Sequence, residues 1–553
     1  MRSNKKMRNL MLASYAMLAV GCTSVAKNLD AELYTPRVPV LIGDEVNPVQ
    51  RLLLINKDSV AYTLNQLNVL LDGTTDLKDI KELSLYLSQK SRRTDFSKDS
   101  LLATINDPKG DKQTFKFNLP VASDSVILWI DMKLASNTDL LNKFRINIVE
   151  AETSAGLVKI AQDSLFNGTL RAGIAVRKHW QDSVHTARIP GLTTTKNGTL
   201  LAIFDARYES SRDLQGHMDI GLHRSEDGGQ TWQPMQVVLD MKEWGGLPEK
   251  FNGVSDACVL VDDNTGAIYI AGLWMHGILD YNTGKWKQGL DANSKDWIHQ
   301  WVAKGSQPGL GVKQTSQFLI TRSDDDGKTW SEPINITEQT KRPEWWLYAP
   351  APGHGITLTD GTLVFPTQGR DKNGLPFSNI TYSKDGGKTW ITSNPAAENT
   401  TECMAVQLAD GGIMLNMRDN RNRDEKGDKN GRNIAVTYDL GETWSEHPSS
   451  HGGLIEPVCM GSVHKHKVNA DQPLESLVLF SNPDSKYHRN QMSIKVSKDD
   501  GKTWDLSKTQ LLDEWGSFGY SCLTSVNDSV VGILYEGSKA QMIFQKMKIN
   551  EFE

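Results

Sequence analysis

At 553 residues the chain is too long for one ordinary domain, and its 61 Lys and Arg are interspersed with 67 Asp and Glu, so no basic surface for nucleic acid stands out. A net charge of −6 and a mean hydropathy of −0.43 describe a soluble chain without an internal membrane span. Five scattered cysteines show neither metal-ligand spacing nor a disulfide framework. Cys258, Cys403, Cys459 and Cys522 read as buried free thiols, although an oxidising compartment would permit a disulfide.

The chain opens on a targeting segment. Arg2, Lys5, Lys6 and Arg8 precede an apolar run from Leu10 to Val20 that is too short to span a bilayer comfortably. It ends in Leu18-Ala19-Val20-Gly21-Cys22, which resembles the lipobox of bacterial lipoproteins, although Ala19 stands where Leu is more usual. The resemblance implies a signal peptide over 1–22, lipid modification of Cys22 and a tether over 23–34. An ordinary secretory signal is the alternative. Either implies export, with the anchored form in the periplasm or on the outer membrane or cell surface. Membrane contact is then expected through the lipid anchor only.

From about 35 to 160, strand-like runs alternate with polar turns: RLLLINK, YTLNQLNVLL, QTFKFNLP, SVILWIDMKL and KFRINIVEA. The alternation predicts a β-sandwich. It carries no acid/base or metal constellation, which fits a carbohydrate-binding module, a spacer or a domain that only buttresses its neighbour.

The remainder, 170–553, is organised by five copies of one phrase, Ser/Thr-x-Asp-x-Gly-x-Thr-Trp, beginning at Ser225, Ser323, Ser383, Thr437 and Ser497. Within it the Asp carboxylate can accept N–H groups of its own turn, Gly supplies a positive φ, and Trp pins the turn to a sheet. A period of about sixty residues with β-rich sequence between copies predicts a propeller in which each copy closes a hairpin. The phrase is the Asp box, a scaffold element. Further hairpin signals at Asn197-Gly198, Thr265-Gly266, Asp360-Gly361, Asp410-Gly411, Asp471 and Asn527-Asp528 bring the blade count to six. The last blade lacks a box and is expected to be closed by an earlier strand around Ile174 to Val176. The fold class is therefore all-β, a six-bladed β-propeller preceded by a β-sandwich. Blade two carries an insertion at about 273–312 with Trp274, His276, Tyr281, Trp286, Trp297 and Trp301, suited either to stacking on sugar faces or to a small self-packed subdomain.

Asp boxes do not decide function. Outside them, Ala187-Arg188-Ile189-Pro190-Gly191 resembles the Arg-Ile-Pro signature of the exo-sialidases (neuraminidases), and the resemblance continues in order along the propeller. It implies that Arg188, Arg418 and Arg489 clamp the carboxylate of sialic acid. Planar, permanently charged forks suit that task. The resemblance further implies that Glu536 pairs with Arg188, that Tyr520 is the nucleophile, with Glu402 taking its proton, and that Asp213 is the general acid/base. Arg207 matches a further arginine of the substrate pocket. A tyrosine nucleophile makes chemical sense because a carboxylate would be repelled by the substrate's own charge. Asp219, in the same segment as Asp213, competes for the acid/base role.

The implied activity is exo-sialidase hydrolysis of terminal α-linked sialic acids from glycoproteins, glycolipids, mucin and oligosaccharides such as sialyllactose, by a retaining route without metal or other cofactor. A trans-sialidase, an intramolecular trans-sialidase and a non-catalytic sialoglycan-binding propeller are the alternatives. Ala187 where Phe or Tyr is common, Leu440 in the fourth box and the insertion depart from the family pattern and bear on linkage preference.

Overall fold

The computed structural model describes residues 29–552, apart from 58–59, 90–98, 123–124, 164–165, 167, 215, 276–277, 279, 281, 284, 286, 296–305 and 467–476. The signal segment, Cys22 and the start of the tether lie outside the described residues.

Two antiparallel sheets make the N-terminal sandwich. One runs in the spatial order Leu29–Tyr34, Pro48–Asn56, Ser125–Leu134, Ile80–Ser88 and Ser100–Asn106; the other Gly156–Lys159, Asn147–Thr153, Tyr62–Leu70 and Lys112–Val121. Alternate residues point inward, so Leu52, Leu54, Leu83, Leu85, Leu128 and Ile130 meet Leu64, Leu67, Val69 and Phe115 in one core. Each such side chain, withdrawn fully from water, contributes about 1.5–3 kcal/mol of hydrophobic free energy.

The observed strands correct two boundaries. Leu29–Tyr34 pairs along its length with Arg51 to Asn56, so the segment expected to be tether is sheet edge from residue 29 onward. Val40–Ile42, expected in the sandwich, instead pairs in parallel with Ala172 to Ile174 of the propeller. Its three residues are buried because Leu41 faces the core of the last two blades while Val40 and Ile42 face the sandwich core. Apolar alternation marks a strand but carries no record of which sheet will accept it.

Six blades surround the propeller axis. Blade 1 is Thr186–Thr194, Leu200–Arg207, Met218–Ser225 and Gln236–Leu239, from the axis outward. Blade 2 is Val254–Val261, Ile268–Trp274, Gln317–Ser323 and Ile334–Asn335. In blade 3 the inner strand is broken into Leu347–Pro350 and Ile356–Thr357, both paired with Leu363–Arg370, followed by Pro376–Ser383 and Ile391–Thr392. Blade 4 is Thr400–Gln407, Ile413–Asp419, Asn433–Thr437 and Ser445–Glu446, and blade 5 is Ser462–Lys465, Val478–Pro483, Met492–Ser497 and Gln510–Asp513. Blade 6 combines Ser521–Asn527, Val530–Tyr535 and Met542–Lys548 with the early strand Leu170–Arg177, which contains the expected closing residues. Closure by an early strand ties the ends of the propeller together and leaves no open inner edge.

The Asp boxes join third to fourth strands. In blade 3, Asp385 accepts from Ser383 Oγ (2.8 Å), Thr389 N (2.9 Å) and Thr389 Oγ1 (2.7 Å), while Gly387 N donates to Ser383 Oγ (2.9 Å). The box Trp reaches the preceding blade: Trp390 packs edge-on to Tyr269 of blade 2, and Trp232 edge-on to Phe544 of blade 6. Trp274, by contrast with the sugar-stacking reading, is core: it is buried against Trp244 and donates to Asn252 Oδ1 at 3.2 Å. The other aromatics named for the insertion lie outside the described residues.

Candidate active site

The inner strands slip register where chemistry is expected. The ladder breaks between Arg188 and Gly191 in blade 1, between Ser255 and Cys258 in blade 2 and between Thr400 and Cys403 in blade 4. A bulge of this kind turns a side chain from the sheet face towards the axis, here Asp256 and Glu402, while Arg188 is the last paired residue before its break. Ile189, β-branched and ahead of a proline, sits at φ 62°, a costly conformation held by its N–H donating to Glu536 Oε1 at 3.0 Å. Gly191 completes the Arg-Ile-Pro-Gly turn because a Cβ there would stand 2.6 Å from Gly353 O, on the short strand Gly353–His354 that pairs with blade 2.

Glu536, 1% exposed, organises this end of the site. It accepts from Arg188 Nε (2.5 Å) and Ile189 N (3.0 Å) through one oxygen and from Tyr520 N (2.9 Å) through the other. Burial works against the Arg188 charge, but Glu536 overcomes it and raises the guanidinium above its ordinary value. The terminal nitrogens of Arg188 take no hydrogen-bond partner among the described residues.

Tyr520 stands at the centre. Its hydroxyl donates to Glu402 Oε1 in a short hydrogen bond and accepts from Arg418 Nη1 at 3.0 Å, while Arg418 Nη1 also binds Glu402 Oε2 at 2.5 Å. The Arg188 and Arg489 guanidiniums lie 5.2 and 5.6 Å from its ring centroid. Arg489 is braced by Phe518 O and Val458 O, both at 3.0 Å. Burial, and then the Glu402 charge, raise the phenol well above its ordinary value, with Arg418 and Arg489 opposing. The resting phenol is therefore neutral, with its proton already directed at a base.

Arg188, Arg418, Arg489, Tyr520, Glu402 and Asp213 line one cavity of about 590 Å³. Its wall holds five arginines, Arg370 and Arg423 being the others, against three carboxylates, so an acidic protein presents a basic pocket suited to an anion. Asp213 enters from the loop after strand Leu200–Arg207, with its side chain 46% exposed. Arg207 does not line the cavity; it stands behind Asp213, donating to Asp213 Oδ1 (2.7 Å), Asp205 Oδ2 (2.9 Å) and Ser211 O (3.0 Å). Asp219 lies outside the cavity wall in a cluster with Tyr208, Asp240 and His217, where burial and Asp240 push it to about 8.

Asp256 and Gln368 were not legible as site residues. Gln368 Nε2 donates to Asp256 Oδ2 at 3.1 Å, and both are buried in the cavity wall. Burial, then the neighbouring Asp213 and Glu402, raise Asp256 well above the usual carboxylate range. The available signal was a lone charge inside the apolar run VSDACVLV. The four described cysteines are free and buried, and Cys459, whose Sγ donates to Gly519 O at 3.4 Å, has its thiol pushed up to about 11 by burial. Among the described residues no group of His, Cys, Asp and Glu is placed to hold a metal ion.

The chain resembles known proteins along most of its length. Residues 198–533 match the BNR repeat-like domain, and residues 29–157 match the N-terminal domain of BNR-repeat neuraminidase. The chain is 37% identical over 540 residues to a sialidase of Bacteroides fragilis, covering 93% of this chain and 94% of that one. It is 30% identical over 373 residues to a sialidase of Paraclostridium sordellii, covering 64% of this chain and 81% of the relative. Among solved structures, the Hadza microbial sialidase Hz136 superposes with a TM-score of 0.83 at 36% identity, over 94% of this chain and 99% of that one.

Proposed function

The chain belongs to the sialidases, glycoside hydrolases, and from that premise we propose that it removes terminal α-linked sialic acids from glycoproteins, glycolipids, mucin and sialyl-oligosaccharides by a retaining mechanism with Tyr520 as nucleophile. The observation that carries the reading is the hydrogen-bonded set Tyr520–Glu402–Arg418, with Arg188 and Arg489 at the tyrosine ring.

In this reading Arg188, Arg418 and Arg489 hold the substrate carboxylate, placing the anomeric carbon over the Tyr520 hydroxyl. The phenolic oxygen bonds to that carbon as its proton passes to Glu402. The glycosidic carbon–oxygen bond breaks, and the departing oxygen takes a proton from Asp213. Water then attacks the same carbon, losing a proton to Asp213, while the tyrosine oxygen leaves and recovers its proton from Glu402. The arginines stabilise the planar, oxocarbenium-like transition state through its attached carboxylate.

The test is release of free sialic acid from mixed α2,3- and α2,6-sialyllactose, with products identified by mass, beside Tyr520→Phe. The expected result is the free acid from the native chain and a loss of about 10³-fold or more in the variant. Transfer to a second glycan, or an anhydro product, would replace hydrolysis by transglycosylation. Saturable binding without release would leave a sialoglycan-binding propeller.

A further inference from the structure

The excursion 208–217, between the strands Leu200–Arg207 and Met218–Ser225, carries Asp213 out to the cavity wall. A surface loop can place a carboxyl in many positions, and the entropy of that freedom works against any single geometry. Two features outside the cavity wall restrict it here, one at the tip of the excursion and one at its base. The first is Leu214, the residue after Asp213. It is 1% exposed and sits at φ 51°, a left-handed conformation that a leucine holds only when its surroundings impose it. Those surroundings are a separate apolar cluster of Leu273 and Met275 from blade 2 with Leu347 and Ala349 from blade 3. Ala349 is in turn paired with Gln368 of the cavity wall. A loop of blade 1 is thus plugged into blades 2 and 3, and with Leu214 turned into that cluster Asp213 before it is left on the cavity side.

The second feature closes the base of the excursion. Tyr208 and His217 stand at its two ends with their rings stacked, centroids 4.1 Å apart and planes 18° apart, and Tyr208 N donates to His217 O at 3.3 Å. Against this stack lies Asp219, the residue that competed with Asp213 on sequence grounds. The Tyr208 phenol meets it, and burial followed by the Asp219 charge raises that phenol above its ordinary value. His217 Nε2 lies 3.7 Å from Asp219 Oδ2 and 3.4 Å from Glu249 Oε1. Arg207 completes the frame from behind through Ser211 O and Asp213 Oδ1.

On the reading that Asp213 is the general acid/base, we infer that Leu214 and His217 are positioning residues for it. Leu214 fixes the tip of the loop by filling the cluster between blades 2 and 3, and His217 fixes its base by stacking on Tyr208. Their effect falls on the proton delivered to the departing glycosidic oxygen. The clamp and the nucleophile are supported elsewhere: Arg188 by Glu536, Arg418 and Tyr520 by Glu402, and Arg489 by the carbonyls of Phe518 and Val458.

The leaving group reports that proton separately. An aryl sialoside such as the 4-nitrophenyl compound expels a stabilised phenolate that needs no proton, whereas sialyllactose expels a sugar oxygen that does. kcat/KM is compared on both substrates for the native chain, Leu214→Ala, Leu214→Met and His217→Ala, with Asp213→Ala beside them. Leu214→Ala and His217→Ala are expected to lower kcat/KM for sialyllactose about 10- to 100-fold and that for the aryl sialoside by less than about twofold. Leu214→Met, which refills the cluster with a side chain of similar volume, should recover most of the native value on sialyllactose. Equal losses on both substrates would mark damage to the whole pocket, and unchanged sialyllactose kinetics would show that these anchors do not place Asp213; either result overturns the inference. Where Leu214→Ala does not fold, His217→Ala carries the same comparison, because it removes a partly exposed ring. Failure of the acid assignment is distinct: Asp213→Ala would then affect the two substrates alike, and the inference would fall with it. The inference fails alone when Asp213→Ala separates the substrates and the anchor variants do not.

Discussion

At the scale of single residues the site is a chain of buried charge compensation. Glu536 meets one arginine and two backbone N–H groups at once, so its removal uncovers three donors rather than one. Leaving a buried arginine unpaired costs about 3–5 kcal/mol. Glu536→Ala is accordingly expected to lower the melting temperature and to reduce kcat/KM by about 100-fold or more, the activity loss read alongside thermal unfolding. Glu536→Gln, which retains an acceptor for part of this set, should fall between the two. Gly191→Ala should fail in a different way: its Cβ meets Gly353 O at 2.6 Å, so the Arg188 turn must shift away from the strand Gly353–His354, which pairs with blade 2. The expected signature is a protein that folds with lower stability and a raised KM, because Arg188 stands on the displaced turn. A native-like KM would show that the turn does not set the position of Arg188.

At the scale of elements the boxes and the bulges divide the labour. The boxes fasten the outer hairpins through carboxylates that accept several bonds, and the Thr side-chain and backbone bonds hold Asp325, Asp385 and Asp439 down at about 2, below the ordinary value of 3.8. A carboxylate depressed in the folded state gives stabilisation that is complete above its unfolded value and is lost as pH falls through its folded one. The three boxes should thus support the fold fully above pH ~4 and weaken it between ~4 and ~2. Asp385→Asn should leave the thermal-unfolding midpoint less dependent on pH in that window, measured by circular dichroism at a series of pH values. A midpoint shift confined to neutral pH would contradict the assignment. The inner-strand bulges are the complement: they interrupt the ladder at Arg188, Asp256 and Glu402 so that side chains of three blades converge on the axis.

At the scale of the whole molecule the N-terminal module is built into the propeller rather than tethered to it. Val40–Ile42 is a strand of blade 6, and Glu551 near the chain end accepts from both Lys143 (2.6 Å) and Arg171 (2.5 Å). Burial opposes the Glu551 charge, but Arg171 and Lys143 prevail and hold it at about 2. Glu551→Ala should loosen this joint, seen as earlier proteolysis between sandwich and propeller with the aryl sialoside kcat retained. Loss of kcat with no change in proteolysis would oppose that role. The lipobox reading of the sequence leads us to propose export with acylation at Cys22. The expected outcome for Cys22→Ser is release from the membrane fraction, and a native chain found without a lipid by mass spectrometry would overturn it.

What the sequence determined by itself was everything carried by local chemistry and repetition. The turn residues of the boxes and the glycines at 198, 266, 361 and 411, all with φ between 82° and 90°, announce hairpins because few other residues tolerate that backbone. Counting these four hairpins with the weaker signals at Asp471 and Asn527-Asp528 gave six blades, and the motif residues Arg188, Glu402, Arg418, Arg489, Tyr520 and Glu536 could be named one by one from a family resemblance. Only the tertiary structure decided which residues share a wall. Asp256 and Gln368 come from the neighbouring blades 2 and 3 and meet in the cavity wall, Arg207 stands behind Asp213 rather than in the cavity, and Val40–Ile42 joins a sheet whose other strands lie far along the chain. The reason is physical: turn chemistry acts over four or five residues and is written in adjacent letters, whereas burial and convergence depend on closing a ring of six sheets, whose geometry no short stretch of sequence contains.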